Sequence, residues 1–293
     1  FKNPEGVAID ANGILYVADT GNETIRRIAT DGSVTTLAGL AGAAGKVDGV
    51  GASARFSAPA RLTLDASGNL YVADNGGVRK VTPAGVVTTV RDGATLLVAV
   101  DSAGNLYTNA SDASIQRTTP AGATSTVVGA PPKDRDRQQP AYEAFAMDAQ
   151  GNFYTAERLR FSTLIQQGFG VVRKFNAQGV QLASAEAVVP TGLALDGSGK
   201  LFASCGGVVG NQFPSGTTTG CSSVIAYDAN LAGTTLAGIS QVLRTPPNYA
   251  QGAGSADGPG TLAQFNFPKG IDVSARGIYV ADTGNHTIRR IEP

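Results

Sequence analysis

The sequence has little of the chemistry on which zinc and nucleophilic enzymes depend. Its 293 residues include one histidine, one methionine, two cysteines and no tryptophan. A single histidine excludes a histidine-rich zinc site, and no GxSxG motif marks a nucleophile elbow. Lysine plus arginine equals aspartate plus glutamate at 23 each, so no net charge favours nucleic acid or an anionic membrane. No apolar run reaches about 18 residues, which predicts that the chain has no membrane-spanning helix.

What the sequence does have is glycine, at 38 residues, and a cassette that returns six times. Each cassette reads Asp, two turn residues, Gly, a spacer, an apolar residue and then Tyr or Phe, and the last copy is one residue shorter. The Asp and Gly positions suit a tight turn, and the following residues alternate as in a β-strand. The copies begin near residues 10, 65, 101, 148, 196 and 274.

Further strands complete each repeat. One strand precedes the turn, and a third strand, a second small turn and a fourth strand follow it. Four strands in about 49 residues are typical of a propeller blade. The sequence therefore predicts an all-β fold, a six-bladed β-propeller of four-stranded antiparallel blades that spans residues 1–293 as a single domain. Because the chain stops after a third strand, the last blade is predicted to lack its outer strand.

Two stretches resemble NHL repeats. They are ADTGNETIRRI at 18–28 and ADTGNHTIRRI at 281–291. A second signature, LAG followed by DGxG and ARF, spans 37–59 and returns in part across 236–268. Together they resemble bacterial extracytoplasmic NHL propellers. The resemblance implies the propeller fold and leaves the function open, because such propellers serve as sensors, adhesion modules, RNA binders and a few lyases or lactonases.

Long insertions interrupt the repeat on one predicted face of the propeller. That face carries the connections between blades and those between the second and third strands. The insertions are 38–58, 129–141, 157–170, 205–221 and 239–267. Long ordered connections lose conformational entropy and usually have a use in compact domains, so we predict the functional surface there. The alternative is that these loops only cover the mouth of the funnel.

Non-repeating arginine and aromatic residues lie in and beside these insertions. Such side chains are enriched where proteins recognise partners, so they are predicted to form a binding rim. The predicted rim comprises Tyr142, Arg158, Arg160, Phe161, Phe169, Phe213 and Tyr249. The alternative is that a long loop packs on its own aromatic residues.

The two cysteines flank the blade-five insertion. Cys205 is predicted to come immediately after one strand and Cys221 immediately before its antiparallel neighbour. A disulfide here would stabilise the fold by about 3 kcal/mol and predicts an oxidising compartment, namely secreted, periplasmic or cell-surface. Two reduced structural cysteines are the alternative. Because the chain begins at Phe1 rather than methionine, we expect a mature or excised fragment. Because the chain stops after a third strand, we expect neighbouring domains in its parent protein.

Acidic residues recur at the end of the second strand. Asp19, Asp74 and Asp282 hold this position, and Glu157 holds it in a diverged copy. Their oxygen atoms would suit a hard cation such as calcium. Their repetition favours a scaffold role, in which they accept backbone hydrogen bonds in the turn. No cofactor is therefore predicted, and calcium is the alternative.

Basic pairs recur on the third strand. They are Arg26-Arg27, Arg79-Lys80, Arg173-Lys174 and Arg289-Arg290. Adjacent residues point to opposite faces of a strand, and the net charge is zero, so a phosphate-binding stripe is not predicted. Ion pairing between blades is expected instead.

These observations predict a rigid binding, sensor or protein-interaction module of a bacterial extracytoplasmic protein. The expected partner is a protein or small ligand on the long-loop face, with no nucleic acid and no membrane insertion. No catalytic residue is predicted. The alternative is a calcium-type metal-dependent hydrolase, lactonase or lyase with its site at the axial mouth.

Overall fold

A computed structural model shows a chain of β-strands and short turns. It describes residues 1–93, 95–131, 133, 141–158, 170–187, 190–209, 218–244 and 254–292, without the side chains of 141, 207–209, 218–220 and 239–244. Within these ranges the helical segments are 3₁₀ turns of three residues, namely Thr20–Asn22, Gly51–Ser53, Gly260–Leu262 and Thr283–Asn285. None of the helices in the described ranges has the length and hydropathy that crossing a membrane requires.

The strands form six sheets, called blades one to six in chain order. Blade one contains β1 Gly6–Ile9, β2 Leu15–Asp19, β3 Thr24–Ile28 and β4 Val34–Ala38. Blade two contains β5 Gly49–Val50, β6 Arg61–Leu64, β7 Leu70–Asp74, β8 Gly77–Val81 and β9 Val86–Asp92. Blade three contains β10 Val98–Val100, β11 Leu106–Asn109, β12 Ile115–Thr118 and β13 Thr124–Val128.

The second half of the chain supplies the other three sheets. Blade four contains β14 Ala141–Met147, β15 Phe153–Arg158, β16 Gly170–Phe175 and β17 Gln181–Ala187. Blade five contains β18 Pro190–Leu195, β19 Leu201–Val209, β20 Thr218–Tyr227 and β21 Gly233–Arg244. Blade six contains β22 Pro268–Ser274, β23 Gly277–Asp282 and β24 Thr287–Ile291.

This topology confirms the predicted fold class, a six-bladed β-propeller of antiparallel four-stranded blades whose last blade has three strands. Blade two departs from the prediction because it has five strands. The insertion 38–58, expected to be a loop, contributes β5, which pairs with the outer strand β9 through Gly49↔Val87 and Val50↔Val86. A short stretch of the insertion thus covers part of an outer edge that would otherwise expose unpaired backbone groups.

Each cassette forms the predicted tight turn. In the first copy Asp10 Oδ1 accepts the N–H groups of Asn12 and Ile14, each at 2.9 Å. Gly13 donates its N–H to Asp10 O at 3.0 Å and has φ of 83°, which glycine adopts without strain. The same side-chain pattern recurs at Asp65, Asp101, Asp148 and Asp196.

The chain forms two compact units. Unit one comprises Phe1–Ser111, Ile115–Val127 and Gly270–Pro293, and unit two comprises Asp112–Ser114 and Val128–Lys269. In unit one a core between blades one and two includes Tyr16, Ala18, Phe56, Leu70 and Val72. In unit two a core between blades four and five includes Tyr154, Val172, Leu193, Leu201 and Tyr227. Inward-facing residues of successive strands therefore bury most of their area between neighbouring sheets.

Glycine allows the inner strands of unit one to approach each other closely. A Cβ atom on Gly6 would overlap the carbonyl oxygen of Ala60, in the segment that leads into blade two. Gly270 holds the equivalent position in blade six, and a Cβ there would lie 2.6 Å from the carbonyl oxygen of Glu5. The missing side chain thus lets backbone of neighbouring blades come into direct contact.

We expect Gly6→Ala to lower the free energy of unfolding by about 3 kcal/mol, because the new methyl group meets backbone that cannot move aside. The matched control is Gly197→Ala, since nothing lies within 4 Å of a Cβ at that turn position. The control should change stability by less than about 0.5 kcal/mol. Urea unfolding of both variants measures the difference, and equal effects would contradict the close approach.

Candidate functional site

Four blades contain a buried carboxylate paired with an arginine on the next strand. The carboxylate ends the second strand, and its side chain is fully buried in every case. The pairs are Asp19–Arg26 at 3.4 Å, Asp74–Arg79 at 3.8 Å, Glu157–Arg173 at 2.8 Å and Asp282–Arg289 at 3.3 Å. Burial raises the pKa of Asp74 and of Glu157, and the neighbouring arginine opposes that shift in each. The recurring acid therefore belongs to the internal structure of its own blade.

The geometry corrects the expected ion pairing between blades. The first basic residue of each pair binds the carboxylate of its own sheet, because the two strands are antiparallel neighbours. The second basic residue points to the opposite face, as a strand requires. There Lys80 lies 5.6 Å from the ring of Tyr71, and Lys174 lies 5.2 Å from the ring of Tyr154. Both members of a basic pair thus interact within one blade.

Blades three and five have lost the acid and the arginine together. In blade three Ala110 and Gln116 hold the two positions. In blade five Cys205 takes the place of the acid and Ile225 takes that of the arginine. Keeping only one partner would leave a charge buried without compensation, which is strongly destabilising. The joint loss supports the assignment of these residues to the scaffold.

Arg79 extends the pairing in blade two to the insertion. Its side chain is fully buried, and its guanidinium donates to Arg55 O at 2.8 Å, Val47 O at 2.9 Å and Asp48 Oδ1 at 2.7 Å. Asp48 in turn accepts the N–H of Thr89 in β9 at 3.0 Å. This arginine therefore holds three residues of the insertion, Val47, Asp48 and Arg55, against the blade.

The predicted scaffold role of the acids includes a contact that the sequence did not reveal. Asp19 Oδ1 accepts the N–H of Lys2 at 2.7 Å, and Asp74 Oδ2 accepts that of Ser57 at 3.0 Å. These donors lie in the segment that leads into each blade, and Asp74 also accepts the main-chain N–H of Gly76 in the following turn, as predicted. In the turn itself, Asn22 donates its side-chain amide to Asp19 at 2.9 Å.

Calcium binding by Asp19, Asp74 and Asp282 stays a prediction. The guanidinium beside each carboxylate would repel a divalent cation, which makes these positions electrostatically unfavourable for a metal. In the part of the chain that the structure describes, no group of three or more His, Cys, Asp or Glu residues is arranged to hold a metal ion.

Blade five carries the predicted disulfide. Cys205 and Cys221 are joined, with their Cα atoms 5.6 Å apart, and both are buried. The expected strand ends were wrong, because the insertion continues the hairpin beyond the cysteines as far as the pair Val209↔Thr219. Strand β21 continues alongside, with Arg244 opposite Thr218. Strands β19, β20 and β21 reach 9, 10 and 12 residues, against 6 or 7 in the matching strands of blade four.

The structure describes two of the seven predicted rim residues. Arg158 is exposed at the end of β15, where its Nε lies 3.9 Å from Glu143 Oε1. Tyr142 is buried, and its hydroxyl donates to Gly129 O, in the connection that follows blade three, at 2.9 Å. The other five, Arg160, Phe161, Phe169, Phe213 and Tyr249, lie outside the described residues.

Sequence reasoning missed Asp272, an acid on the first strand of blade six. Its Oδ2 accepts the N–H of Ile9 in blade one at 2.8 Å, and desolvation raises its pKa to about 6. Blade one has Ala8 and blade two has Thr63 at the equivalent position. The signal was available, because a charged residue at a position of small side chains breaks the repeat.

A known repeat family matches both ends of the chain. The family described as NHL repeat matches residues 1–28 and 265–291. These two stretches therefore resemble NHL repeats, as the sequence predicted. Teneurin-3 of Danio rerio is 33% identical over 93 residues, which are 27% of this chain and 4% of the relative. This chain therefore spans only a small part of that curated relative.

Solved structures share the propeller fold at low sequence identity. An auxiliary nutrient binding protein from Bacteroides thetaiotaomicron is 13% identical with a TM-score of 0.60, over 98% of this chain and 68% of that protein. Virginiamycin B lyase from Staphylococcus aureus is 12% identical with a TM-score of 0.52, over 100% of this chain and 85% of the lyase. At such identities the likeness extends to the fold and not to the site.

We expect Arg79→Ala to lower the free energy of unfolding by about 4 kcal/mol, because Asp74 would stay buried without its cation and the insertion would lose three hydrogen bonds. Arg26→Ala is the matched control in another NHL-type blade. The Arg26 side chain is 27% exposed, and its carboxylate keeps other donors. The control should lose less than half as much in urea unfolding, and equal losses would contradict the fastening role of Arg79.

We expect Asp272→Asn to stabilise the protein at neutral pH. Because the folded-state pKa of about 6 exceeds the unfolded value near 4, wild-type stability falls as the pH rises through that window and stays low above it. Asparagine keeps an acceptor for Ile9 without the charge, so the gain should be about 2 kcal/mol at pH 7 and near zero at about pH 4. Urea unfolding at both pH values checks this, and an equal gain at each would count against it.

Proposed function

We propose that this chain is an extracytoplasmic binding module that holds a protein or small ligand on the long connections of blades four and five. The observation that carries the proposal is the extended sheet of blade five. Strands β19, β20 and β21 continue past the disulfide and have 9, 10 and 12 residues, whereas the corresponding strands of blade four have 6 or 7. A cross-linked sheet extension gives a binding surface little conformational freedom to lose, which favours affinity.

The binding residues in this proposal belong to unit two. Exposed Arg158 ends a strand beside the blade-four insertion, and its weak contact with Glu143 at 3.9 Å leaves its guanidinium able to pair with a partner. Buried Tyr142 would support the surface from below rather than contact the partner. Arg160, Phe161, Phe169, Phe213 and Tyr249 complete the proposed rim.

Two observations support a location outside the cytoplasm. Disulfides persist in oxidising compartments, and the Cys205–Cys221 disulfide is buried in the core of blade five. The nutrient-binding protein with a similar fold is a binding protein of a bacterium, which is consistent with a secreted, periplasmic or cell-surface module. We therefore propose a bacterial extracytoplasmic origin.

The second candidate is a calcium-dependent hydrolase, lactonase or lyase. Its support is the fold that the chain shares with virginiamycin B lyase. Because fold alone does not fix chemistry, the binding module is the better-supported function.

We expect a panel of oligosaccharides, amino acids and peptides to include a compound that raises the melting temperature of the purified protein. Replacing Arg158, Arg160 and Phe161 together by Ala should weaken binding of that compound at least about tenfold, because charged and aromatic anchors dominate such surfaces. Exposed Arg276, in a turn of blade six, supplies the control Arg276→Ala. Calorimetry measures the affinities.

Two results would count against the proposal. Unchanged affinity in the triple variant would remove this site. Turnover of a panel compound that stops on chelation and returns with calcium would favour the enzyme instead.

A further inference from the structure

Blade six ends in an edge strand whose sequence is identical to that of a covered strand in blade one. Strand β24, Thr287–Ile291, and strand β3, Thr24–Ile28, both read Thr-Ile-Arg-Arg-Ile. In blade one, β3 pairs on its outer side with β4. Among the described residues no strand pairs with the outer side of β24. The same five residue types therefore lie beside an outer strand in one blade and at the edge of the sheet in the other.

One apolar position of the third strand shows what the outer strand covers. This position is opposite the residue that precedes the acid, or its equivalent, on the second strand. In the five blades that have an outer strand it is fully buried, and its residues are Ile25, Val78, Ile115, Val172 and Val224. In blade six Ile288 holds it and is only half-buried, and the preceding Thr287 is exposed. Apolar surface that the other blades bury therefore meets solvent in blade six.

The other blades also show which side chain covers this position. In blade one, Ala38 of β4 stands opposite Ile25, and both belong to one buried cluster. In blades four and five, Ala185 and Ala237 stand opposite the equivalent valines. The outer strands of blades one and five share the sequence Thr-Thr-Leu-Ala-Gly, at 35–39 and 234–238. A strand that covered Ile288 in the same way would place a small residue opposite it.

The charge of β24 argues against a second copy of this chain as the occupant. If all five residues of two β24 strands paired antiparallel, the Arg289 side chains would lie opposite each other. Like charges in that position destabilise a sheet. In blade one the residues opposite the two arginines of β3 are Thr35 and Thr36. An uncharged, β-branched strand is therefore the complement that the same sequence already has within this chain.

We propose that β24 is a docking site for an extended strand of a partner polypeptide, which adds to blade six as its fourth strand. The partner strand runs antiparallel to β24, is uncharged, and places a small residue opposite Ile288. Peptides bind exposed sheet edges in this way, with affinity from main-chain hydrogen bonds and specificity from alternate side chains. The site uses residues of unit one, whereas the proposed rim uses residues of unit two, so this inference does not depend on the proposed function.

The test uses a peptide with the sequence of residues 33–39, Ser-Val-Thr-Thr-Leu-Ala-Gly, with both ends blocked. The peptide is added to ¹⁵N-labelled protein, and the main-chain amides are followed by NMR. The signals of Thr287–Ile291 should shift saturably, and their hydrogen exchange should slow. Strand β17, the outer strand of blade four, is the control edge and should not respond. A peptide with Phe in place of Ala should bind at least about tenfold more weakly, because its ring would hold the strands apart.

Two N-methylated peptides test the strand pairing itself. One carries the methyl groups on the nitrogens of Val34 and Thr36, and the other carries one on the nitrogen of Thr35. In an antiparallel pair alternate residues direct their N–H groups to the same neighbour. One of the two peptides should therefore lose binding while the other keeps it. An equal effect of both would show that side chains alone hold the peptide, which would overturn strand addition.

A pair of variants locates the contact. Ile288→Ala should weaken binding of the peptide about tenfold, because less apolar surface is covered. Val90→Ala changes an exposed valine on the outer strand of blade two and should bind as wild type does. No shift at β24, or an equal shift at β17, would overturn the proposal. The wild-type peptide titration then stands even where a variant fails to fold.

Two further results would assign the edge to another occupant and so overturn the partner. One is a dimer in sedimentation that Ile288→Ala dissociates, which would mean a second copy. The other is a full-length gene product that takes up no peptide while residues 1–293 do, which would mean a segment of its own chain. Uptake of the peptide by both proteins is the expected result. None of these outcomes bears on the ligand panel for unit two.

Discussion

The pairing of a buried acid with an arginine on the next strand is the constraint on which the blades depend. An acid such as Asp19 takes part in three contacts at once, because it binds Arg26, holds the turn through Asn22 and receives the segment that leads into the blade. A carboxylate provides about four acceptor sites together with the negative charge that binds the arginine, so one side chain can make all three contacts. Blades three and five lack both members of the pair. Ala110 and Gln116 hold the two positions in blade three, and Cys205 and Ile225 hold them in blade five.

The repeat itself could be read from the sequence, because turn chemistry and strand alternation act over a few residues. The Asp10 turn and the Cys205–Cys221 disulfide both follow from such local patterns. Features that depend on distant segments could not be read in this way. Strand β5 lies in the insertion whose backbone carbonyls accept hydrogen bonds from Arg79, and no local sequence pattern indicates those contacts. Arg79 looked like one more member of a basic pair.

In the candidate site too, local patterns could be read from the sequence and contacts between distant segments could not. Non-repetition marked Arg158 and Tyr142 as residues outside the scaffold, but exposure depends on the surrounding fold, so the sequence could not tell that one is exposed and the other buried. Glu157 repeats the acid of other blades, which indicates a scaffold role, whereas Asp272 breaks the repeat at a position of small side chains. An acid inside a regular strand carries no local sign that its neighbours leave it desolvated or short of a donor.

The exchange of an ion pair for a disulfide in blade five gives the blades unequal sensitivity to acid. As the pH falls, Asp74 and Glu157 take up protons and the attraction to their arginines disappears. The bond between Cys205 and Cys221 carries no charge and does not titrate. The sheet that extends farthest is therefore held at this position by a bond that does not depend on the acidity of the surroundings.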